Sequence, residues 1–524
     1  MNRSERFHAL TEQRSFDLVV VGGGATGLGV ALDAALRGFS VALFESHDFA
    51  GGTSSRSTKL LHGGVRYLAQ GDIGLVREAL AERATVMQIA PHLAQPLPFV
   101  MPSYSWWQTP FYGFGLKLYD LMAGRAGLGH TEILNRQRTE AALPGVRIQG
   151  LRGGVRYWDG QFDDARLALA LARTAEAAGA LVFNHVEVTR LERERNGFDV
   201  QVTDGPTGAV RHLRAACVIN ATGVWVDALR DKVDGPSAGQ MPHRLVTPSQ
   251  GVHLVVDRDF MPGDSALLVP KTRDGRVLFA VPWLGKLILG TTDTPREDLP
   301  REPQAFAEEL SFILSESAKV LARPVRREDV RSVWVGLRPL VTPPRSERGG
   351  TQVISREHTV VVDPSGLVTV TGGKWTTYRA MAEDVLERCF SAHLLPRRPG
   401  GLSASHRLLG APEPGVPAVP IHSAPGPHLY GSCAPELTRC PGGDVSLGMG
   451  LTEAMVRYAI RSEHALTVED VLARRWRALF LDAQAAARMA QRVAAILEEE
   501  GASAPGLPSF LSLCEHYLPG PLAT

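Results

Sequence analysis

Residues 17–27, DLVVVGGGATG, set a short β-branched run against a glycine-rich turn. An unbroken apolar run suits a strand buried on both faces. Gly22-x-Gly24-x-x-Gly27 follows it and opens a helical stretch from Leu28 to Leu36 that stops at Gly38. The first glycine makes the turn, the second lets the backbone approach a pyrophosphate, and the third lets helix and strand pack closely. Ala25 and Thr26 stand where the helix begins, and its free N–H groups and positive dipole suit a diphosphate. Ser40 to Phe44 (SVALF) reads as a second buried strand, closed by Glu45. An acid about 20 residues beyond the glycines is placed to grip a ribose hydroxyl. This βαβ unit is the expected opening of a doubly wound parallel sheet. The fingerprint alone does not choose FAD over NAD.

Working outward, two later segments read as returns to the same sheet. Ala216 to Asn220 leads into Ala221-Thr222-Gly223, and Leu367 to Thr371 leads into Gly372-Gly373-Lys374. Each brings a strand into glycine where the chain must pass close to something. Trp375 to Phe390 is helical in pattern, with Met381, Val385 and Leu386 on one face. Between the returns, GVHLVVD, RVLFAVPW and KLILGTTD (within 245–293) predict an inserted antiparallel sheet. Pro396 to Gly443 is dense in Pro, Gly and Ser, the mark of a linker. Beyond it, Leu451 to Glu500 is helical, and Thr467 with Asp470 three residues on resembles a capping box.

The 524 residues are too many for one core. Lys plus Arg (56) against Asp plus Glu (55) leaves a net charge of +1, which argues against nucleic acid as a partner. The cysteines Cys217, Cys389, Cys433, Cys440 and Cys514 are scattered, with no metal or redox spacing, so no metal site is expected and the thiols read as reduced and cytoplasmic. Met1 to Ser15 has no apolar core of the kind a signal peptide needs. No run of about 18 apolar residues occurs to span a bilayer.

The segment Thr53-Ser54-Ser55-Arg56-Ser57-Thr58-Lys59-Leu60-Leu61-His62-Gly63-Gly64-Val65-Arg66-Tyr67 combines hydroxyls, cations and a glycine pair. Hydroxyls and backbone amides can complete a pyrophosphate site. His62, Arg66 and Tyr67 are near enough in sequence to project together, although a solvated polar loop reads the same way. Here the chain resembles the FAD-dependent glycerol-3-phosphate dehydrogenases, in which TSSxSSKLIHGGLRYL follows the second strand. The likeness continues through WDGQFDDARL (158–167), ATGVW (221–225), PWLGKLILGTTDT (282–294), GLRPL (336–340) and GGKWTTYR (372–379). Six matches in family order are far more specific than any one of them.

The resemblance implies an α/β fold: a Rossmann-like FAD-binding domain over 16–395 with an inserted antiparallel-sheet substrate domain (about 80–160 and 240–340). A Pro/Gly-rich linker (396–443) and a small α-helical C-terminal domain (444–524) follow. It implies oxidation of sn-glycerol 3-phosphate to dihydroxyacetone phosphate, by hydride transfer from C2 to flavin N5. Gly22, Gly24, Ala25, Thr26, Gly27, Glu45, Thr53, Ser54, Ser55, Lys59, Thr222, Gly223, Gly373, Lys374, Thr376 and Thr377 are expected at the cofactor. Arg66, Tyr67, Arg338, Lys374 and Tyr378 are expected at the substrate. A phosphate needs charge-assisted donors, preferably a planar guanidinium. A P-loop reading of Lys374 fails, since Val368 stands where a glycine is required. Of two candidate bases for the C2 hydroxyl, His62 comes first and His253, a lone histidine in a strand, second. Arg338 is expected to stabilise the alkoxide as it forms. The helix opening near Trp375 is expected to turn its positive end to the flavin.

The electron acceptor is less legible. Dehydrogenases of this kind pass electrons to a quinone, and oxidase relatives pass them to oxygen but carry an extra insertion not seen here. Tyr104 to Tyr119 (YSWWQTPFYGFGLKLY) is crowded with aromatics, with Lys117 and Arg125 near. It reads as a peripheral membrane contact on the inner face, as a quinone entrance, or as packing under a lid. Arg56 departs from the small residue usual in the family. A homodimer is compatible with the sequence, and an amine- or amino-acid-oxidising enzyme of the same fold is the rival reading.

Overall fold

The computed structural model describes residues 3–64, 72–234, 244–273, 275–342 and 358–520. Its first sheet runs, in spatial order, His358–Val362, Val368–Gly372, Val210–Asn220, Ser15–Val21, Val41–Phe44 and Leu181–Phe183. All neighbours in this row are parallel except the edge strand His358–Val362. Leu18, Val19 and Val20 are wholly buried, as a strand covered on both faces requires. The helices Ala25–Leu36 and Tyr378–Ser391 pack on one side, close enough that a Cβ on Gly29 would lie 2.8 Å from the Tyr378 ring. Both predicted returns end beside the turn at Gly22, which brings three chain segments to the carboxyl ends of the parallel strands.

The second sheet is mixed. Val246–Asp257 pairs antiparallel with Lys286–Gly290 and with Val330–Val341, as the insert was expected to do. Ala266–Val269, however, lies parallel to Ala94–Ser103, which joins the earlier segment Ala94–Phe162 to the same sheet.

After the parallel-sheet helices the chain crosses both halves. Its Pro/Gly-rich stretch carries the 3-10 segment Pro427–Arg439, with Leu429, Tyr430 and Cys433 buried. The helices Glu453–Ser462, Ala483–Glu499 and Leu507–His516 close the chain. They share one core with the second sheet: Trp476 and Phe480 are buried in the same cluster as Trp283 and Trp334. Thr467 and Asp470 exchange the two bonds of a capping box, Asp470 N–H to Thr467 Oγ1 at 3.1 Å and Thr467 N–H to Asp470 Oδ2 at 3.1 Å.

Candidate active site

A cavity of about 1370 Å³ runs from the glycine turn of the parallel sheet to the face of the second sheet. At the turn the glycines are required by space. Gly22 has φ +110°, and a Cβ there would lie 2.6 Å from Ala221 O. A Cβ on Gly27 would lie 2.0 Å from Gly22 O, so this glycine serves packing and does not reach the cavity wall. Gly22, Gly24, Ala25, Thr26 and Glu45 do line it. Glu45 closes the turn by accepting from Gly23 N–H at 2.8 Å and His47 N–H at 2.9 Å.

The loop Thr53–His62 forms the next wall, and its side chains alternate in direction. Thr53, Ser54, Ser57, Thr58 and His62 line the cavity. Ser54 Oγ accepts from Ala25 N–H at 2.9 Å, tying this loop to the first turn of the dinucleotide helix. Ser55 and Lys59 face the other way. Both are buried off the cavity, and Lys59 Nζ donates to Asp164 Oδ2 at 2.7 Å and to Ser55 O at 2.7 Å. Burial lowers the Lys59 pKa to about 7, with the Asp164 carboxylate opposing. Lys59, expected at the cofactor, is therefore a buried ion-pair residue. Arg56 turns its guanidinium to Glu302 Oε1 at 2.5 Å and to the carbonyls of Arg301, Val335 and Gly51. The departure from a small residue is absorbed by that pairing.

Across the cavity stand Thr222 and Gly223 from one return and Gly372 to Thr376 from the other. Gly372 and Gly373 adopt φ +81° and +73°, and a Cβ on Gly373 would lie 2.4 Å from Met381 Sδ, so only glycine delivers Lys374 to the wall. Trp375 Nε1–H donates to Ser54 O at 2.8 Å, and Thr376 Oγ1 to His62 O at 3.4 Å. Thr377 and Tyr378 lie beyond the wall. Tyr378, expected at the substrate, is 2 % exposed and packs edge-on against Trp375, since it fills the contact left open by Gly29. Arg66 and Tyr67 lie outside the described residues.

Arg338 projects into the cavity from the strand Val330–Val341. Its Nη2 donates to Thr292 O at 3.0 Å and Thr291 Oγ1 at 3.2 Å, and Nη1 to Asp293 Oδ1 at 3.3 Å. A Cβ on Gly251 would lie 2.3 Å from Nη2, so glycine on the adjoining strand clears its path. His253, on the same strand as Gly251, touches the cavity but is only 2 % exposed. Its ring stacks on Trp334 with centroids 4.1 Å apart, and Nε2 meets Thr58 Oγ1 at 2.9 Å. Burial, with Lys59 and Arg338 adding, holds its pKa well below the usual 6.5. His62, by contrast, is half-buried on the open wall.

Sequence reasoning missed Thr291 and Asp293, which orient Arg338, and Arg477, whose Nη2 reaches Ser55 O at 2.6 Å. The first two lie inside the quoted GTTD run, where small polar residues end a strand. Nothing in the sequence announces Arg477.

The FAD dependent oxidoreductase family profile matches residues 17–388, and that of the C-terminal domain of alpha-glycerophosphate oxidase matches residues 428–502. Among curated proteins, the mitochondrial glycerol-3-phosphate dehydrogenases of Macaca fascicularis and Homo sapiens are each 41% identical, over 95% of this chain and 72% of theirs. A solved glycerol-3-phosphate dehydrogenase from Bacillus halodurans, complexed with FAD, superposes with a TM-score of 0.76 at 28% identity, covering 100% of this chain and 98% of that one. Glycine oxidase from Geobacillus kaustophilus, at TM-score 0.53 and 19% identity over 75% of this chain and 99% of its own, shares the fold alone.

Proposed function

The chain belongs to the FAD-dependent oxidoreductases, in their glycerol-3-phosphate dehydrogenase branch, and on that premise we propose that it oxidises sn-glycerol 3-phosphate to dihydroxyacetone phosphate and passes the electrons to a quinone. The observation that carries this reading is the single cavity in which a dinucleotide turn, His62, Arg338 and Lys374 share a wall.

The residues present suit FAD. The glycine turn has no room for a Cβ at Gly22 or Gly27, and Ala25, Thr26, Thr53, Ser54 and Ser57 line the space beside it. Gly24, Glu45, Thr222, Gly223, Gly373, Lys374 and Thr376 would hold the rest of the cofactor. When bound, FAD supplies the hydride acceptor for C2 of the substrate.

The protein's own part is to bind, orient and move one proton. His62 is the base for the C2 hydroxyl, because it is reached from the cavity and histidine titrates near working pH. His253 is the weaker candidate: a base whose pKa is depressed holds a proton poorly, and its Nε2 already faces Thr58. Arg338, oriented in advance by Asp293, Thr291 and the Thr292 carbonyl, meets the alkoxide without reorganising. Lys374 offers a second cation to the substrate phosphate. Anaerobic mixing of the FAD-loaded protein with glycerol 3-phosphate tests the whole. Rapid loss of the oxidised flavin band with the phosphate ester, and none with glycerol, is expected. Bleaching by amino acids instead would replace this reading with the amine-oxidising one.

The helix Gln108–Ala123 and the turn before it support a reaction at a membrane surface, where a quinone is at hand. No helix among the described residues is long and apolar enough to cross a membrane. Yet Trp106, Phe111, Phe114 and Leu121 are 78, 66, 77 and 77 % exposed, with Lys117 beside them. Trp107, Phe111, Phe114 and Leu118 also line the cavity. Such a face suits a lipid headgroup boundary, where aromatic rings and a cation are both stabilised. Co-sedimentation with anionic phospholipid vesicles should be lost on replacing Trp106 and Leu121, which do not line the cavity, by serine, while turnover with a water-soluble quinone stays. Equal binding by that variant would remove the membrane contact.

A further inference from the structure

The buried side of the Thr53–His62 loop is braced by charge from two distant parts of the chain. Asp164, at the start of the helix Asp164–Ala177, accepts from Ser57 Oγ at 2.8 Å, Ser57 N–H at 3.1 Å and Lys59 Nζ at 2.7 Å. Arg477, one residue before the short C-terminal helix Ala478–Leu481, lies 3.3 Å from the other oxygen of that carboxylate. The same guanidinium donates to Ser55 O at 2.6 Å, the carbonyl that Lys59 also binds. It lies 3.9 Å from the Phe480 ring centroid, and Phe480 packs on Trp334. Its side chain is wholly buried.

Two features separate this arrangement from ordinary packing. Arg477 holds φ +65°, a left-handed conformation that costs an arginine about 1 kcal/mol or more, so its surroundings over-determine it. And both bonds it makes outside its own segment land on the loop or on the loop's anchor. Ser54, the residue before the pinned carbonyl, accepts from Ala25 N–H at the head of the dinucleotide helix. A shift at Ser55 therefore moves the hydroxyl that meets the glycine turn.

We propose that Arg477 is a positioning residue for the cofactor: reaching from the C-terminal helices, it pins Ser55 directly and Ser57 through Asp164, so that the neighbouring Ser54 and Thr58 stay on the cavity wall. The C-terminal domain is thereby part of the apparatus that holds FAD. This rests on the FAD reading above, and deepens it.

The test uses the full FAD-loaded chain, with hydrogen exchange of peptides covering 53–62 and the FAD dissociation constant from flavin fluorescence on dilution. Arg477→Met should raise loop exchange and weaken FAD binding about tenfold or more, the scale of a lost charge-assisted bond. Exchange in the helix Ala483–Glu499 should stay as it was, and Arg477→Lys should restore part of the loss. Wild-type loop exchange and FAD affinity in Arg477→Met would overturn the proposal. Should that variant fail to fold, Arg477→Lys and Ser57→Ala carry the same test, each expected to loosen 53–62, and wild-type exchange in both would overturn it. If the purified wild-type chain carries no FAD, the cofactor reading falls, while loop exchange still decides on Arg477.

Discussion

Two arginines touch the same cavity and do different things there. Arg56 comes from the hydroxyl-rich loop and Arg338 from the second sheet. The Arg56 side chain is 4 % exposed, with four acceptors around its guanidinium, Glu302 among them. The Arg338 side chain is 22 % exposed, and Asp293, Thr291 and Thr292 are among the groups that orient it. Proximity to a cavity is thus a poor guide to what a cation binds. What matters is how completely the fold encloses it with acceptors, since Arg338 too has a carboxylate beside it in Asp293. Lys59 repeats the lesson, since it stands three residues from His62 and points wholly away, into Asp164.

The sharpest way to break this comparison is to remove the Arg56 guanidinium. Arg56→Met takes one partner from a buried pair, which costs about 3–5 kcal/mol when both ions are dry. Glu302 is 32 % exposed and water partly replaces the lost partner, so about 3 kcal/mol is expected. Denaturant unfolding of the FAD-loaded protein measures it, with the KM for glycerol 3-phosphate unchanged in the folded enzyme. A raised KM at wild-type stability would place Arg56 among the ligand cations instead.

Arg338→Met is the converse. It should lower kcat/KM roughly 10²–10³-fold, about 2.7–4 kcal/mol, as removal of an oriented donor at a developing charge does. Its unfolding midpoint should move less than that of Arg56→Met. Arg338→Lys should recover only part of the rate, because the planar fork that spans Asp293 and Thr292 is lost. Full recovery would mean that Arg338 acts as a point charge.

The sequence was legible where chemistry is local. Gly22, Gly24, Gly27 and Glu45 follow from turn geometry within one βαβ unit, and Lys374 from the family resemblance with the two glycines that precede it in support. It was opaque where direction depends on a distant partner. Nothing between residues 53 and 62 says that Lys59 faces Asp164, 105 positions away, or that Tyr378 fills the space above Gly29. Asp164 and Arg477 are 313 positions apart, so their pairing exists only in the fold. The C-terminal helices were read as helices from periodicity. That Phe480 completes the core under Trp334 was not, because an apolar stripe does not name what it covers.

The same division between wall and interior separates the histidines, and the buried ones make the protein less stable in acid. His253 and His92 are 2 % and 5 % exposed, and each leaves Nδ1 buried without a partner among the described residues. Burial, with nearby cations adding, holds His253 well below pH 6.5 and His92 down at about 3. In the unfolded chain both take up a proton near pH 6.5, whereas the folded chain stays unprotonated well below that. The unfolded state then binds more protons, so stability is complete above about pH 6.5 and falls as the pH drops. Because the unfolded histidine is only half protonated at pH 6.5, each such histidine contributes about 1 kcal/mol between pH 6.5 and 5.5, about 2 kcal/mol together, and the slope approaches about 1.4 kcal/mol per pH unit only below that. Urea unfolding at those two pH values measures the loss, and His92→Gln should reduce it by about 1 kcal/mol. His62→Gln, on the open wall, should lower kcat about 10²-fold or more. An unchanged loss in His92→Gln would show that this buried histidine does not weaken the protein in acid, whatever the fate of the reaction.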